Sequence, residues 1–251
     1  MIFEYCKQAT RILRYLSVAK ADQARWYSIV SFDLGSTSGR MFVESLDPNR
    51  GWSNIVPFSV QTLNKPNDIN GDFPAQGYYT TPHGSTYEPD YPRNDAVPVP
   101  IKYSCYGRVK ASYDLFFEEL PHAREIILQG DDPAFQARCE DALDSLFRTL
   151  HARLVEFCTE EGLVVKYVAL SIPVQWTMEF EELYTKSVAK AFGWRPEEAF
   201  DRTFFVSESE ALANCIFEEM NTKGLLAKHD SVQLFDFGGH NMVSTLIQLH
   251  D

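Results

Sequence analysis

The sequence is short of the features that mark most exported, membrane-bound and metal-dependent proteins. No apolar run approaches the length needed to span a bilayer. The five cysteines, Cys6, Cys105, Cys139, Cys158 and Cys215, are odd in number, scattered and never spaced Cys-x-x-Cys. No Asn-x-Ser/Thr acceptor occurs either. That usage argues against a disulfide scaffold and reads as reduced core thiols in a cytosolic or nuclear protein. The six histidines are separated, with no His-x-x-x-His pairing, so no zinc site is legible. A Gly-x-Ser-x-Gly elbow and a Gly-x-x-x-x-Gly-Lys loop are both missing, which removes support for serine-hydrolase and P-loop chemistry. Positive charge is in deficit: 23 Lys and Arg against 35 Asp and Glu leave a net charge of −12. Neither nucleic acid nor an anionic membrane is expected as the main partner of such a surface.

What is present can build a core. At 251 residues, 45% hydrophobic and 14% aromatic, the chain suffices for one large or two small domains. It is organised around Ser28-Ile-Val-Ser-Phe-Asp33-Leu-Gly35-Ser36-Thr37-Ser38-Gly39-Arg40, an apolar strand that ends on a carboxylate and turns through small residues into a second strand from Met41. Such a turn lets backbone N–H groups point at an anion with no side chain in the way. The Ser36 and Thr37 hydroxyls add donors, and Asp33 can hold a hydrated Mg²⁺ beside a phosphate. The plainer alternative is an ordinary hairpin with a polar turn. A second copy far downstream weighs against that: Ser231-Val-Gln-Leu-Phe-Asp236-Phe-Gly238-Gly239-His240-Asn241, followed by an alternating strand. Two such hairpins can hold a phosphate chain and its metal between them.

In chain order, residues 1–27 read as an amphipathic helix, with Ile2, Phe3, Cys6, Ile12, Leu13 and Leu16 at helical spacing and Lys7, Arg11, Arg14 and Lys20 between them. The pattern suits a mitochondrial presequence, but Glu4 and Asp22 count against one, and a helix added ahead of the fold is expected. A third strand is expected over 53–60. From Pro57 to Pro100 the chain holds eight of its thirteen prolines, and no period of 2 or 3.6 survives. An irregular Pro/Tyr-rich insertion is expected there, a surface loop in preference to a ligand groove lined by Tyr78, Tyr79, Tyr87 and Tyr91. Residues 97–109 read as a short strand pair. Asp132-Pro133 opens a long helix to about Glu161, stopped by Gly162, with Phe135, Cys139, Leu143, Leu146, Phe147, Leu150, Leu154 and Phe157 as a core stripe. His151 within it reads as a boundary residue. A strand over 164–172, a helix over 179–192, a strand over 203–207, a helix over 208–220 and the second hairpin complete an α/β chain, a mixed sheet flanked by helices.

Four pieces in this order carry a resemblance: Asp33-Leu-Gly35-Ser-Thr-Ser, Ser171-Ile-Pro173-Val-Gln-Trp176, Glu208-Ser-Glu210-Ala-Leu-Ala213 and Asp236-Phe-Gly238-Gly239. Together they resemble the seventy-kilodalton heat-shock ATPases, in the superfamily that also holds actin and the sugar kinases. The Trp after Pro-x-Gln is most similar to a divergent, fungal-type branch. The resemblance covers roughly residues 28–46 and 140–251. It implies a ribonuclease H-like, actin-type ATPase lobe over 28–251, with 57–130 as insertion and smaller subdomain. It also implies ATP or ADP with Mg²⁺ between the hairpins: Asp33 and Asp236 would hold the metal through water, and Glu208 would help position metal or nucleophile. Gly35, Ser36, Thr37, Ser38, Gly238, Gly239, His240 and Asn241 would meet the phosphates. The family's catalytic lysine should fall near Lys102 or Lys110, both expected to be exposed lysines outside any recognisable motif.

Three departures bear on activity. His240 stands at the family's third glycine, Asn241 at its threonine and Val243 at its later aspartate. A non-glycine residue in a left-handed turn costs on the order of 1–2 kcal/mol. The chain ends at Asp251, just past the second hairpin, so the second lobe is expected to be absent. The expected function is a heat-shock-type nucleotide-binding lobe, weak or inactive in hydrolysis. The alternatives are a pseudo-ATPase that docks a protein on the face left by the second lobe, and a carbohydrate kinase fragment, whose opening motif Asp33 to Arg40 also resembles. The middle region carries no sugar-binding or catalytic-base motif to support the last.

Overall fold

The computed structural model describes residues 26–35, 38–47, 51–56, 72–81, 84–87, 98–104, 132–173, 176, 178–225, 231–237 and 242–248. Strand β1 (Trp26–Leu34) buries Ser28, Val30, Phe32 and Leu34 on one face and leaves Asp33 exposed on the other, the period of 2 that a half-covered strand requires. It begins two residues earlier than the sequence suggests, so Trp26 and Tyr27 are strand and not the end of a helix over 1–27; the remainder of that expected helix lies outside the described residues. β2 (Ser38–Asp47) returns antiparallel and β3 (Gly51–Val56) extends the meander.

The chain then departs from the expectation of an irregular insertion. β4 (Asp72–Pro74) adds to β2, while β5 (Gln76–Thr81), β6 (Gly84–Tyr87) and β7 (Pro98–Pro100) form a separate three-stranded sheet, in the order β6-β5-β7. Tyr78 and Tyr87 are buried there. The apolar alternation is hidden because Gly77 lies directly against the long helix over 133–160, where an added Cβ would come 2.7 Å from the Ala142 Cβ. Prolines 74, 98 and 100 sit in strands of three residues, too short to show a period. Residues 101–104, expected as strand, form a single helical turn, α1 (Ile101–Ser104).

The helix α2 (Pro133–Glu160) begins where its cap places it, with the Asp132 carboxylate accepting from the Ala134 N–H at 2.9 Å, and is followed by Gly162 at φ 69°. Its apolar stripe is buried from Phe135 to Leu154 as the spacing predicts, while Phe157 is only partly buried and Cys158 is buried beside it. It packs on β8 (Leu163–Ile172), on α3 (Met178–Phe192) and on β5 and β6, so it serves both sheets. The Tyr87 N–H donates to Ser145 Oγ at 3.0 Å, and Asp144 receives the Ser187 hydroxyl and pairs with Lys190, tying α2 to each neighbour. A helix α4 (Pro196–Arg202) that the sequence reading did not place precedes β9 (Thr203–Ser207) and α5 (Glu208–Thr222). The main sheet runs β3-β2-β1-β8-β9, antiparallel through its first three strands and parallel through the last three, a mixed α/β sheet flanked by helices. β10 (Ser231–Phe237) and β11 (Met242–Gln248) make their own two-stranded sheet against α5.

Cys139 and Cys158 are core thiols; burial pushes their pKa values up to about 12 and about 11, the nearby Arg138 charge opposing the rise at Cys139. Cys215 corrects the expectation of buried thiols throughout: it faces outward from α5 and is exposed. His151 packs against Phe192 of α3 with ring centroids 4.4 Å apart and the planes tilted by 52°, a half-buried boundary position, and burial lowers its pKa below the usual 6.5. The unfolded chain therefore takes up this proton first, so stability is full above about pH 6.5 and is lost as pH falls through and below that value. The melting temperature is expected to drop further between about pH 7.5 and about pH 5.5 in the native protein than in His151→Phe, which keeps the ring contact but cannot titrate. Equal drops in the two proteins would contradict this.

Candidate functional site

Strand register assembles the site. β1 and β8 are parallel, and the pairing sets Asp33 opposite Ser171. β8 and β9 are parallel too, with Ser171 opposite Val206 and Ile172 opposite Ser207, after which α5 begins at Glu208. Asp33, Ser171 and Glu208, distant in sequence, therefore lie along one rim, the carboxyl ends of the three parallel strands. In open α/β sheets this rim is where ligands bind.

At one end of the rim Ser171 Oγ donates to Asp33 Oδ1 at 2.6 Å. This short bond holds one carboxylate oxygen in place and leaves the other facing solvent. Behind it the turn is tight: an added Cβ on Gly35 would stand 2.3 Å from the Ser38 carbonyl oxygen, which is why glycine occupies that place. Gly39 is closed in by the Phe73 ring of β4. Ser38 opens β2 with its side chain exposed.

At the other end stands an ion pair. Lys102 Nζ meets Glu208 Oε1 at 2.5 Å, with side chains only 6% and 13% exposed. Lys102 was expected to be an exposed lysine, and it is instead buried. Its place follows from Ile101, fully buried in the core and bonded through its N–H to the Ala75 carbonyl, which plants α1 and turns the next side chain toward the head of α5. That head is capped by Ser207, whose hydroxyl accepts from the Glu210 N–H at 3.2 Å.

Of the residues singled out from the sequence, the fold brings Asp33 and Glu208 to the same rim. It adds Ser171, a member of the Ser-Ile-Pro segment whose contact with Asp33 depends on the parallel register. Asp236 lies in β10, opposite Val243 of β11, in a sheet not strand-paired to that of Asp33. Ser36, Thr37, Gly238, Gly239, His240, Asn241 and Lys110 lie outside the described residues. Among the described residues no cluster of three or more His, Cys, Asp or Glu side chains could hold a metal unaided, and no helix is long and apolar enough to cross a membrane.

The arrangement can offer a carboxylate to a hydrated cation at Asp33 and a locked acid–base pair at Lys102 and Glu208. No protein-family model matches the chain, and no curated protein matches it either.

Proposed function

We propose that this chain is the nucleotide-binding lobe of a heat-shock-type, actin-like ATPase fold, one that holds Mg-ATP weakly and hydrolyses it negligibly. The observation that carries the reading is the single rim: parallel register sets Asp33, Ser171 and Glu208 together, and the chain between the two halves of the sheet delivers Lys102 to Glu208. An antiparallel meander continued by parallel strands on helical crossovers is compatible with that lobe.

The donor set fits a hydrated Mg²⁺ held mainly by nucleotide phosphates, which needs only one or two carboxylates. Asp33 supplies one, oriented by Ser171, and by the resemblance Asp236 supplies the second through water. The metal would neutralise phosphate charge. Ser36, Thr37, Ser38, Gly35, Gly238 and Gly239 would meet the phosphate oxygens, and His240 and Asn241 occupy the positions where the family pattern is lost. Lys102 holds Glu208 in place, and in doing so each cancels the charge the other could offer to substrate. Phosphoryl transfer is mostly electrostatic positioning, so these departures fall on the step that needs most precision.

Titration calorimetry with Mg-ATP is expected to give a Kd weaker than about 100 µM, abolished by Asp33→Asn. A micromolar Kd would overturn the weak-binding part, and no heat at about 5 mM nucleotide would overturn the nucleotide reading itself.

A second reading, a protein-docking module, is favoured by the outer face of the β10–β11 hairpin. Register puts Gln233, Phe235, Ser244 and Leu246 on that face, and Phe235 and Leu246 are 52% and 70% exposed. Apolar side chains grouped on an outer face suit a partner surface. A silent nucleotide titration together with association that is lost in Phe235→Ser would favour this reading over the first.

A further inference from the structure

Away from the rim, α3, α4 and β9 enclose a half-open cavity of about 590 Å³. Its apolar wall includes Met178, Ala189, Trp194, Phe200 and Phe204. The size and lining are those of small-molecule sites, which are concave, mostly apolar and carry a few polar groups. The wall is already built. Trp194 packs on Phe192 at 4.8 Å and lies under the Arg202 guanidinium at 5.2 Å, and Arg202 is itself paired with Glu198.

Two polar groups in the lining are out of balance. Glu181 is half-buried and has no ion pair among the described residues, and burial raises its pKa. The Thr203 hydroxyl, in a residue only 7% exposed, has no hydrogen-bond partner among the described residues. A buried hydroxyl left unpaired is destabilising, because it has given up water without gaining a partner. A carboxylate beside aromatic walls and an unused hydroxyl ask for a particular guest.

We infer that the groove between α3, α4 and β9 binds an aromatic organic cation, its ammonium paired with Glu181, its rings against Trp194 and Phe204, and a hydrogen-bonding atom on its body taken by Thr203. The lining sets Glu181, Glu182 and Asp201 against Lys186 and Lys190, and Lys190 is already paired with Asp144, so the balance of charge favours a cation over an anion, and the volume admits one such molecule. The inference is independent of nucleotide binding at the rim.

Three probes share an indole body and carry a cationic, a neutral and an anionic terminal group: tryptamine, its alcohol analogue tryptophol, and indole-3-acetate. Calorimetric titration of the full chain is expected to give saturable one-to-one binding of tryptamine with Kd below about 1 mM. Tryptophol should bind roughly tenfold more weakly, and indole-3-acetate more weakly still. Glu181→Gln should erase the difference between tryptamine and tryptophol. Thr203→Val should weaken both by a similar factor while raising the melting temperature of the free protein, an opposition that a purely structural hydroxyl would not produce. Equal affinity for all three probes, no saturable binding of tryptamine, or affinities unmoved by both variants would overturn the inference.

Discussion

Lys102→Met is expected to cost about 3 kcal/mol of folding stability, seen as a fall in melting temperature of roughly 6–12 °C for a chain of this size. The reason is asymmetry. Removing one partner of a buried pair leaves the other charge stranded, and Glu208, 13% exposed, would keep a carboxylate in a place water scarcely reaches. The lower end of the usual 3–5 kcal/mol range applies because neither side chain is wholly enclosed. Glu208→Gln should cost less, since the amide oxygen still accepts from Lys102. The double variant Lys102→Met with Glu208→Leu should recover most of the loss, because two apolar groups of similar size in place of a buried pair are often neutral. Thermal denaturation of the native protein, Lys102→Met, Glu208→Leu and the double variant closes a double-mutant cycle, and a coupling energy below about 0.5 kcal/mol would show that the pair does not form in solution.

Phe147→Ala is expected to be the most damaging single change in the core, at about 4–5 kcal/mol by urea denaturation. Phe147 is 1% exposed and stands edge-on to two rings, Phe32 of β1 at 5.6 Å and Tyr184 of α3 at 5.9 Å. It joins the sheet, the long helix and the next helix at a single point. The cavity left behind opens against stiff aromatic neighbours that cannot close over it, which puts the cost in the upper part of the range for large-to-small changes. Each edge-to-face contact adds roughly 0.5–1.5 kcal/mol beyond buried area. Phe147→Leu should keep most of the volume and lose about 1–2 kcal/mol. Phe200→Ala, at 67% exposure, should stay within about 0.5 kcal/mol. A Phe147→Ala loss no larger than that of Phe200→Ala would contradict the packing described.

The sequence made the second half of the fold legible for local reasons. Helix α2 has a capping Asp132, a proline in its first turn, a glycine after its end and a stripe at a period of 3.6, all within one segment. β9 and α5 meet at Ser207 and Glu208, where an apolar strand gives way to an acid-led, serine-capped helix. The region from 72 to 104 was not legible, because its order is borrowed from elsewhere. β5 pairs with β7 from about twenty residues further on, and Gly77 is matched to Ala142 on a helix not yet reached in the chain. The site divides in the same way. Asp33 and Glu208 could be named from a strand end and a helix start, whereas the burial of Lys102 depends on a partner 106 residues away and the Asp33–Ser171 bond on one 138 residues away. No pattern within a window of ten or twenty residues contains either fact. The groove over β9 was missed because α4 is only seven residues long, although Pro196 followed by Glu197 and Glu198 is a helix-opening signal.

The two-sided role of α2 bears on the order in which the molecule can assemble. Tyr87 is bonded to Ser145 across 58 residues, so the small sheet must be synthesised and then left waiting for the wall it leans on. A contact of that separation forms only after a long loop has closed, and the closure is repaid by the helix packing on β6, on α3 and on β8. On a ribosome, the segment holding Tyr78 and Tyr87 has no wall to cover it until the helix has emerged behind it, so its apolar face is open to solvent during that interval.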